Sequence, residues 1–547
     1  MTTGRMWVTL LAGLLCAGCA SGPGAGLSRS GDVTAETRGE DAPPPLEDSA
    51  APPSDLGGDL APDAAPDGAS ADGALPDSFP DLAPDGATDA TPDAPAPPVL
   101  SLEGLLTALA AGDGDAIAGL MELYDGPFCE GELCLVVTWM PGQDAVALRG
   151  EWNAWGEEPM LASPAPGWFH GTVPASLVTA CLPYKLFAGG QWLRDPLNRW
   201  IRFADIAINS ALCPPGSSRI ALMDGVYSPG LDNTRSLYVY VPAAAFTDPG
   251  STFPVLYMQD GFNVFRNPAA PFGSWDVDLS ADTLAAEAAA EVPIIVGVDT
   301  SDRLNEYLHT DITVDLGGGP VVVTPLLPAY AEFLVGTVKP LVDASFPTRP
   351  GRDDTAIAGS SLGGLSSLWI AWHHAEVFGR IASFSGSYWV GQEGTGTGSH
   401  PTMQEILAAA APTAAQAALR IYMDSGTDTG AGEQGGLPYT GDSRCFTDWT
   451  RNVLIGLGWE NRPEWDDDGD LQSAPADFPV TTDPALVPAL FWSPEVPPGY
   501  AGWDDYLKPG HRLLHLVGEG HAHNEAAWAQ RFGAMLRFLF PPAGGWG

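Results

Sequence analysis

Gly359-Ser360-Ser361-Leu362-Gly363 is the stretch whose residue types and spacing best suit covalent chemistry. It is a GxSxG pattern between a short apolar run, Thr355-Ala356-Ile357-Ala358, and a helical stretch that passes Trp369 and ends near Glu376. A strand, a tight turn and a helix are the context a nucleophile elbow requires. The turn is so sharp that side chains at the two glycines would strike neighbouring backbone, and the serine at its tip keeps its hydroxyl exposed. The helix N-terminus lies beside that hydroxyl, where its dipole favours developing negative charge. The chemistry suggested for Ser361 is attack on a carbonyl through an acyl-enzyme.

A serine hydroxyl is a poor nucleophile at neutral pH, so it needs a base, and the base needs an orienting carboxylate. With a nucleophile elbow the chain order is Ser, then Asp or Glu, then His. Of the histidines after Ser361, His373 and His374 fall on the helix leaving the turn. His400 lies farther along, and His511 and His515 belong to the approach and body of an apolar run. His521 and His523, in Gly518-Glu519-Gly520-His521-Ala522-His523-Asn524-Glu525, sit on a loop that can reach back to the elbow. For the acid, Asp424 follows the apolar run 419–423 closely and reads as structural. Asp428 lies on the loop beyond and is preferred, with Asp442 as the alternative. The backbone N–H of Leu362, the residue after the nucleophile, supplies one oxyanion donor, and an earlier strand-end loop must supply the other.

Those residues need a scaffold. From residue 236, apolar runs of strand length (237–241, 255–258, 293–298, 355–358, 381–384, 419–423 and 513–517) alternate with helical stretches at 281–290, 330–342 and 526–540. Continuous apolar strands separated by helices predict a largely parallel sheet covered on both faces, with ligands at the carboxyl ends of its strands. Upstream, residues 102–123 read as helical with a break near Gly112-Asp113-Gly114. The runs 135–139, 145–149, 168–173 and 184–188 read as strands of a small β-sandwich.

Particular segments also resemble known families. His523-Asn524-Glu525 with Trp528 resembles the HNExxW segment of the esterase family that includes esterase D and enterochelin esterase, and the resemblance implies His523 rather than His521 as base. Tyr257-Met258-Gln259-Asp260-Gly261-Phe262-Asn263 is similar to the family's DGxN segment, continued by Phe265 and by Ser274-Trp275. It assigns the second oxyanion donor to Phe262 N–H and gives Asp260 a loop-fixing role. Gly297-Val298-Asp299 with Arg303, Glu306 and Tyr307, and then Ser385-Gly386-Ser387-Tyr388-Trp389, extend the likeness over most of residues 236–541. It suggests an Arg303–Glu306 ion pair at a pocket wall, with Trp275, Tyr388 and Trp389 lining the acyl or alcohol pocket if packing does not claim them.

Leu148-Arg149-Gly150-Glu151-Trp152-Asn153-Ala154-Trp155, followed by Tyr184-Lys185-Leu186-Phe187 and Asp195-Pro196-Leu197-Asn198, resembles immunoglobulin-like domains of the glycogen-binding and isoamylase N-terminal type. A related domain precedes the catalytic domain of enterochelin esterases. Trp152, Trp155, Trp168 and Trp192 offer flat faces to a sugar or aromatic ligand, although in a small sandwich most such residues serve packing.

Bulk properties bound the rest. With 68 acidic and 24 basic residues the chain carries a formal charge of -44, which argues against a nucleic-acid partner. Arg5 and the short apolar run 6–17 read as an export signal, too short to span a membrane. Its end, Leu15-Cys16-Ala17-Gly18-Cys19, resembles a bacterial lipoprotein signal that would leave Cys19 lipidated, departing from the pattern at Cys16. Repeated Pro-Asp steps such as Pro62-Asp63 and Pro80-Asp81 make residues 20–98 an extended tether. Among the remaining cysteines, Cys129 and Cys134 can close a small loop and Cys181 and Cys213 a second, leaving Cys445 odd, in a compartment where disulfides persist. The acidic run 466–470 lacks the EF-hand spacing and reads as a solvated loop, and no CxxC or HExxH suggests zinc.

The expectation is therefore an α/β-hydrolase preceded by a small all-β immunoglobulin-like sandwich. Its parts are a signal peptide (1–18), a disordered tether (19–98), a helical segment with the sandwich (99–214) and the hydrolase (215–547). The function expected is that of an exported serine esterase using Ser361, His523 and Asp428, needing no cofactor or metal, and anchored through Cys19 to the outer or surface side of a bacterial envelope. Its partners are a small-molecule or glycan-linked ester and the membrane. An acyltransferase with the same triad, or a non-catalytic surface binding protein, are the alternatives. The sequence names neither the ester nor the oligomeric state.

Overall fold

The computed structural model describes residues 100–204, 207–315, 320–391, 401–426, 444–459, 512–518 and 521–542. The signal, the tether, Cys19, Asp428, Asp442 and the acidic run 466–470 lie outside them.

The first helix, α1 (Leu102–Ala111), starts where the Ser101 side chain accepts from Gly104 N–H and stops at Gly112, whose φ of 67° an L side chain tolerates poorly. Asp113 then caps α2 (Gly114–Met121), so the break expected at 112–114 is a stop signal followed at once by a start signal. Next come β1 (Phe128–Glu130), β2 (Leu133–Trp139), β3 (Val146–Gly150), β4 (Glu158–Pro159), β5 (Leu161–Ala162), β6 (Trp168–Pro174), β7 (Leu182–Ala188), β8 (Gln191–Leu193), β9 (Trp200–Ala204) and β10 (Ala207–Leu212). A four-stranded sheet runs β1-β2-β6-β5, and the other strands join a larger sheet.

Alternation along β2 explains how the layers stack. Cys134 and Val136 point into a core shared with Val146, Leu148, Leu186 and Leu212, whereas Leu135 and Val137 meet Leu105, Leu109 and Ile117 of the two helices. A strand buried on both faces reads as a continuous apolar run, as 133–137 does. Disulfides Cys129–Cys134 and Cys181–Cys213 are both present. Of the tryptophans singled out above, Trp152 and Trp168 pack against these cores. Trp155 meets Trp192 edge-on at 6.1 Å, and Trp192 remains 46% exposed.

The remaining strands are β11 (Arg219–Ser228), β12 (Asn233–Val241), β13 (Val255–Met258), β14 (Ile294–Val298), β15 (Ile312–Asp315), β16 (Pro320–Val323), β17 (Thr355–Ser360), β18 (Arg380–Phe384), β19 (Arg420–Gly426) and β20 (Leu513–Gly518). β15 and β16 form a separate hairpin. Among the described residues, one 14-stranded sheet runs β20-β19-β18-β17-β13-β14-β12-β11-β9-β10-β7-β3-β4, with β8 on β7. Its six strands from β20 to β14 are parallel. β12 then runs antiparallel to β14, and β11 joins β9 through Ile220↔Ile201 and Ala221↔Trp200. The boundary expected between residues 214 and 215 thus falls between two strands of a single sheet.

Alternation again divides the core of the parallel part. Val255, Tyr257, Val296, Ile357, Ile381 and Ile421 face one side, where α5 (Leu327–Phe333), α6 (Leu362–His373) and α7 (Arg444–Gly456) contribute to the core. Leu256, Met258, Ile295, Ala356, Ala382 and Leu514 face the other, under α4 (Val277–Ala286) and α8 (Glu525–Leu539). The short α3 (Gly261–Val264) sits at the carboxyl end of β13.

Candidate active site

Ser361 stands between β17 and α6 with φ 57° and ψ −121°, a backbone conformation L residues seldom adopt. Its N–H donates to Phe384 O at 2.9 Å, and its own C=O accepts from Gly364 and Leu365 N–H at 3.1 Å each. The bend brings Gly359 against Gly363, where a Cβ on Gly359 would lie 2.6 Å from the Gly363 carbonyl. The glycine spacing therefore reflects a physical close approach. Leu362 opens α6, where a helix's first N–H groups have no intrahelical acceptor.

One contact escapes sequence reasoning. Ser361 Oγ lies 3.1 Å from Ser387 Oγ, and Ser387 N–H donates to Ser361 O at 2.9 Å. Ser387 belongs to the loop after β18, which is held from both sides. Ser385 N–H donates to Asp424 O and Oδ1, each at 3.0 Å. Its Oγ accepts from Trp528 Nε1 and Arg531 Nη2, each at 2.9 Å. Trp528 and Arg531 stand three apart on α8, a spacing that shares a helix face and so offered a sequence signal for their joint role. Arg531 also pairs bidentately with Asp424 (2.9 and 3.1 Å), both side chains being fully buried.

His521 and His523 follow β20 on the approach to α8. His521 Nδ1 accepts from Arg531 Nη1 at 3.3 Å. The His523 ring meets the Trp528 ring edge-on at 5.1 Å, so it rests on the side chain that fastens Ser385. Glu525, at the first position of α8, accepts from Asn263 Nδ2 at 3.5 Å. Burial pushes its carboxyl up to about 7, with Asp260 adding to the shift and Arg303 and His523 opposing it.

On the opposite wall Asp260 (φ 58°) is gripped by Arg303 through Nε–Oδ1 at 2.7 Å and Nη2–Oδ2 at 3.0 Å, and Arg303 also reaches Ser360 O at 3.4 Å. The expected Arg303–Glu306 pair is therefore corrected. Glu306 is fully buried against Arg235 of β12 (2.8 and 3.0 Å), a partner on a separate element rather than a neighbour in the chain. Phe262 lies in α3, and burial raises the carboxyl of Asp299 to about 6, a shift that the Phe262 backbone N–H opposes.

The three aromatic residues expected at the pocket are buried. Trp275 packs edge-on against Phe384 at 4.9 Å and beside Trp528 at 5.5 Å. Tyr388 donates its hydroxyl to Ser383 Oγ at 2.6 Å, and Trp389 joins the same core as α6. Packing accounts for the positions of Trp275 and Tyr388.

A serine on a strained strand-to-helix turn, at the carboxyl edge of parallel strands with helices on both faces, defines the α/β-hydrolase class of fold. Residues 228–437 match the family model described as "Putative esterase", and the chain is esterase-like over that region. It is 27% identical over 173 residues to the uncharacterized protein YbbA of Bacillus subtilis (strain 168), covering 30% of this chain and 62% of that protein. It is also 27% identical over 182 residues to the iron(III) enterobactin esterase of Dickeya dadantii (strain 3937), 33% of this chain and 36% of that enzyme. The chain thus spans less than two thirds of the length of either relative. Among solved structures, the enterobactin esterase FES from Shigella flexneri aligns with a TM-score of 0.36 at 16% identity, covering 78% of this chain and 98% of that one.

Proposed function

We propose that the protein is a serine carboxylic-ester hydrolase working through an acyl-enzyme. The observation that carries the proposal is Ser361 in its elbow conformation, inside the region that matches the esterase family. His523 removes the Ser361 proton as Oγ attacks the ester carbonyl. The N–H groups of Leu362 and Phe262 bind the oxyanion. The imidazolium gives the proton to the departing alcohol, and the neutral imidazole of His523 then activates water to release the acid. Asp428 holds the His523 tautomer.

Fluorophosphonate labelling of the full chain, read by peptide mass, tests the reading. Label on Ser361, and none in Ser361→Ala, is expected, whereas a folded wild type that takes no label sinks it. His523→Ala should lower turnover by about 10³-fold or more, while His521→Ala stays within about tenfold. The reverse result reassigns the base. A panel of siderophore, feruloyl, acetylated-polysaccharide and simple acyl esters would identify the substrate. Siderophore esters come first, because the Dickeya relative is named for iron(III) enterobactin.

The proposal extends to export and anchoring, supported by the lipoprotein-like segment ending at Cys19. In bacteria fed radiolabelled fatty acid, the wild type should take up label and Cys19→Ala should not. An unlabelled wild type ends the claim.

A further inference from the structure

We propose that the Ser387 hydroxyl is a second catalytic group, one that hydrogen-bonds the attacking oxygen itself. The inference rests on Ser361 being the nucleophile. Its basis is the 3.1 Å approach of the two hydroxyl oxygens and the 2.9 Å bond from Ser387 N–H to Ser361 O. These two contacts fix Ser387 to the elbow through both side chain and backbone.

The surroundings make this partner a built one. Ser387 is 2% exposed. Two residues before it, Ser385 is held by two bonds from its N–H to Asp424 and by two donors from α8 to its hydroxyl. Between them, a Cβ on Gly386 would lie 2.6 Å from Ser383 Oγ and from the Tyr388 ring, so the loop is packed tightly against its own neighbours at the residue before Ser387. The Ser387 hydroxyl is preorganised against one oxygen.

A hydroxyl has one proton to donate and two lone pairs. When the Ser361 proton is turned to His523, the bond between the two serines can only run from Ser387 O–H to Ser361 Oγ. As the Ser361 O–H bond breaks and the Oγ–carbonyl carbon bond forms, negative charge passes through Oγ, and the Ser387 donor stabilises it. In deacylation Oγ is the leaving atom, charge returns to it, and the same donor acts again. Ser387 keeps its own proton throughout; in acylation the Ser361 proton passes through His523 to the departing alcohol, and in deacylation a proton from water passes through His523 to Ser361.

A donor to a charged atom is stronger than one to a neutral atom, so its loss shows in rate before it shows in folding. The test uses the full chain, with a fluorophosphonate for acylation and 4-nitrophenyl acetate for turnover. Ser387→Ala should slow both the labelling rate and kcat by about 10- to 100-fold, with KM within about twofold and the thermal midpoint unchanged. Ser387→Thr, which retains the hydroxyl, should recover most of the rate. Ser387→Cys, close in size but a weak donor, should resemble the alanine variant and stands in for it if that variant does not fold. Wild-type rates in a folded Ser387→Ala overturn the proposal. So do losses of rate and thermal midpoint together that Ser387→Thr leaves uncorrected, since these mark a packing role. A wild type that does not label at Ser361 removes the nucleophile reading and this inference with it, a failure separable from the other two.

Discussion

Glu525 shows what burial does to a single carboxyl beside the candidate site. Its pKa rises from the usual 4.5 to about 7, chiefly through desolvation. The folded chain therefore holds this proton more tightly than the unfolded chain does. The stabilisation it contributes is complete below about pH 4.5 and is lost as pH rises through about 7. Glu525→Gln, which cannot ionise, should gain thermal midpoint over the wild type as pH goes from 5 to 8. A difference that stays flat across that window, followed by calorimetry, refutes the account. At this scale the sequence was partly legible. The elbow serine and its glycines declare themselves locally, because the turn that needs them is made by adjacent residues. The Ser361–Ser387 contact and the Arg235–Glu306 pair do not, because each joins residues that only the sheet brings together.

The element that secures the site is α8. Through Trp528 and Arg531 it ties the end of β19 and the loop after β18 to the segment carrying His523. Arg531 and Asp424 are both fully buried, so removing one strips the other of a bidentate ionic partner without returning it to water. Arg531→Met should cost about 3–5 kcal/mol in urea unfolding, and the Arg531→Met, Asp424→Leu double variant appreciably less. A single variant within about 1 kcal/mol of wild type contradicts this. The strands around this network were readable to within a few residues, since β13, β17, β18 and β19 are apolar runs buried on both faces. Helix limits shifted more: a stretch expected at 281–290 is α4 at Val277–Ala286, because amphipathic periodicity does not mark where a helix begins.

Over the whole molecule, the accessory β-region and the catalytic region share one sheet. β9 pairs with β11, and Trp200 of β9 is 1% exposed within the catalytic core, edge-on to Phe246 at 5.4 Å. Residues 215–547 expressed alone would lose that tryptophan and bare the β11 edge, which invites strand pairing between chains. That fragment should aggregate or melt well below residues 99–547 in size-exclusion and thermal measurements. If it behaves as a stable, defined species of equal melting temperature, the shared sheet has no energetic weight. Such continuity was invisible beforehand, because composition changes at the boundary while hydrogen bonding does not.

The backbone at Ser361 has a consequence for how such a protein changes over generations. At φ 57° and ψ −121° glycine would rest more easily than serine, by of order 1–3 kcal/mol. On the proposed role of Ser361 as nucleophile, a lineage released from the need for ester turnover can therefore gain stability by discarding that serine, and the dead form would outlast the living one in a test tube. Continued presence of serine at that position would record selection for turnover, acting against the preference of the fold.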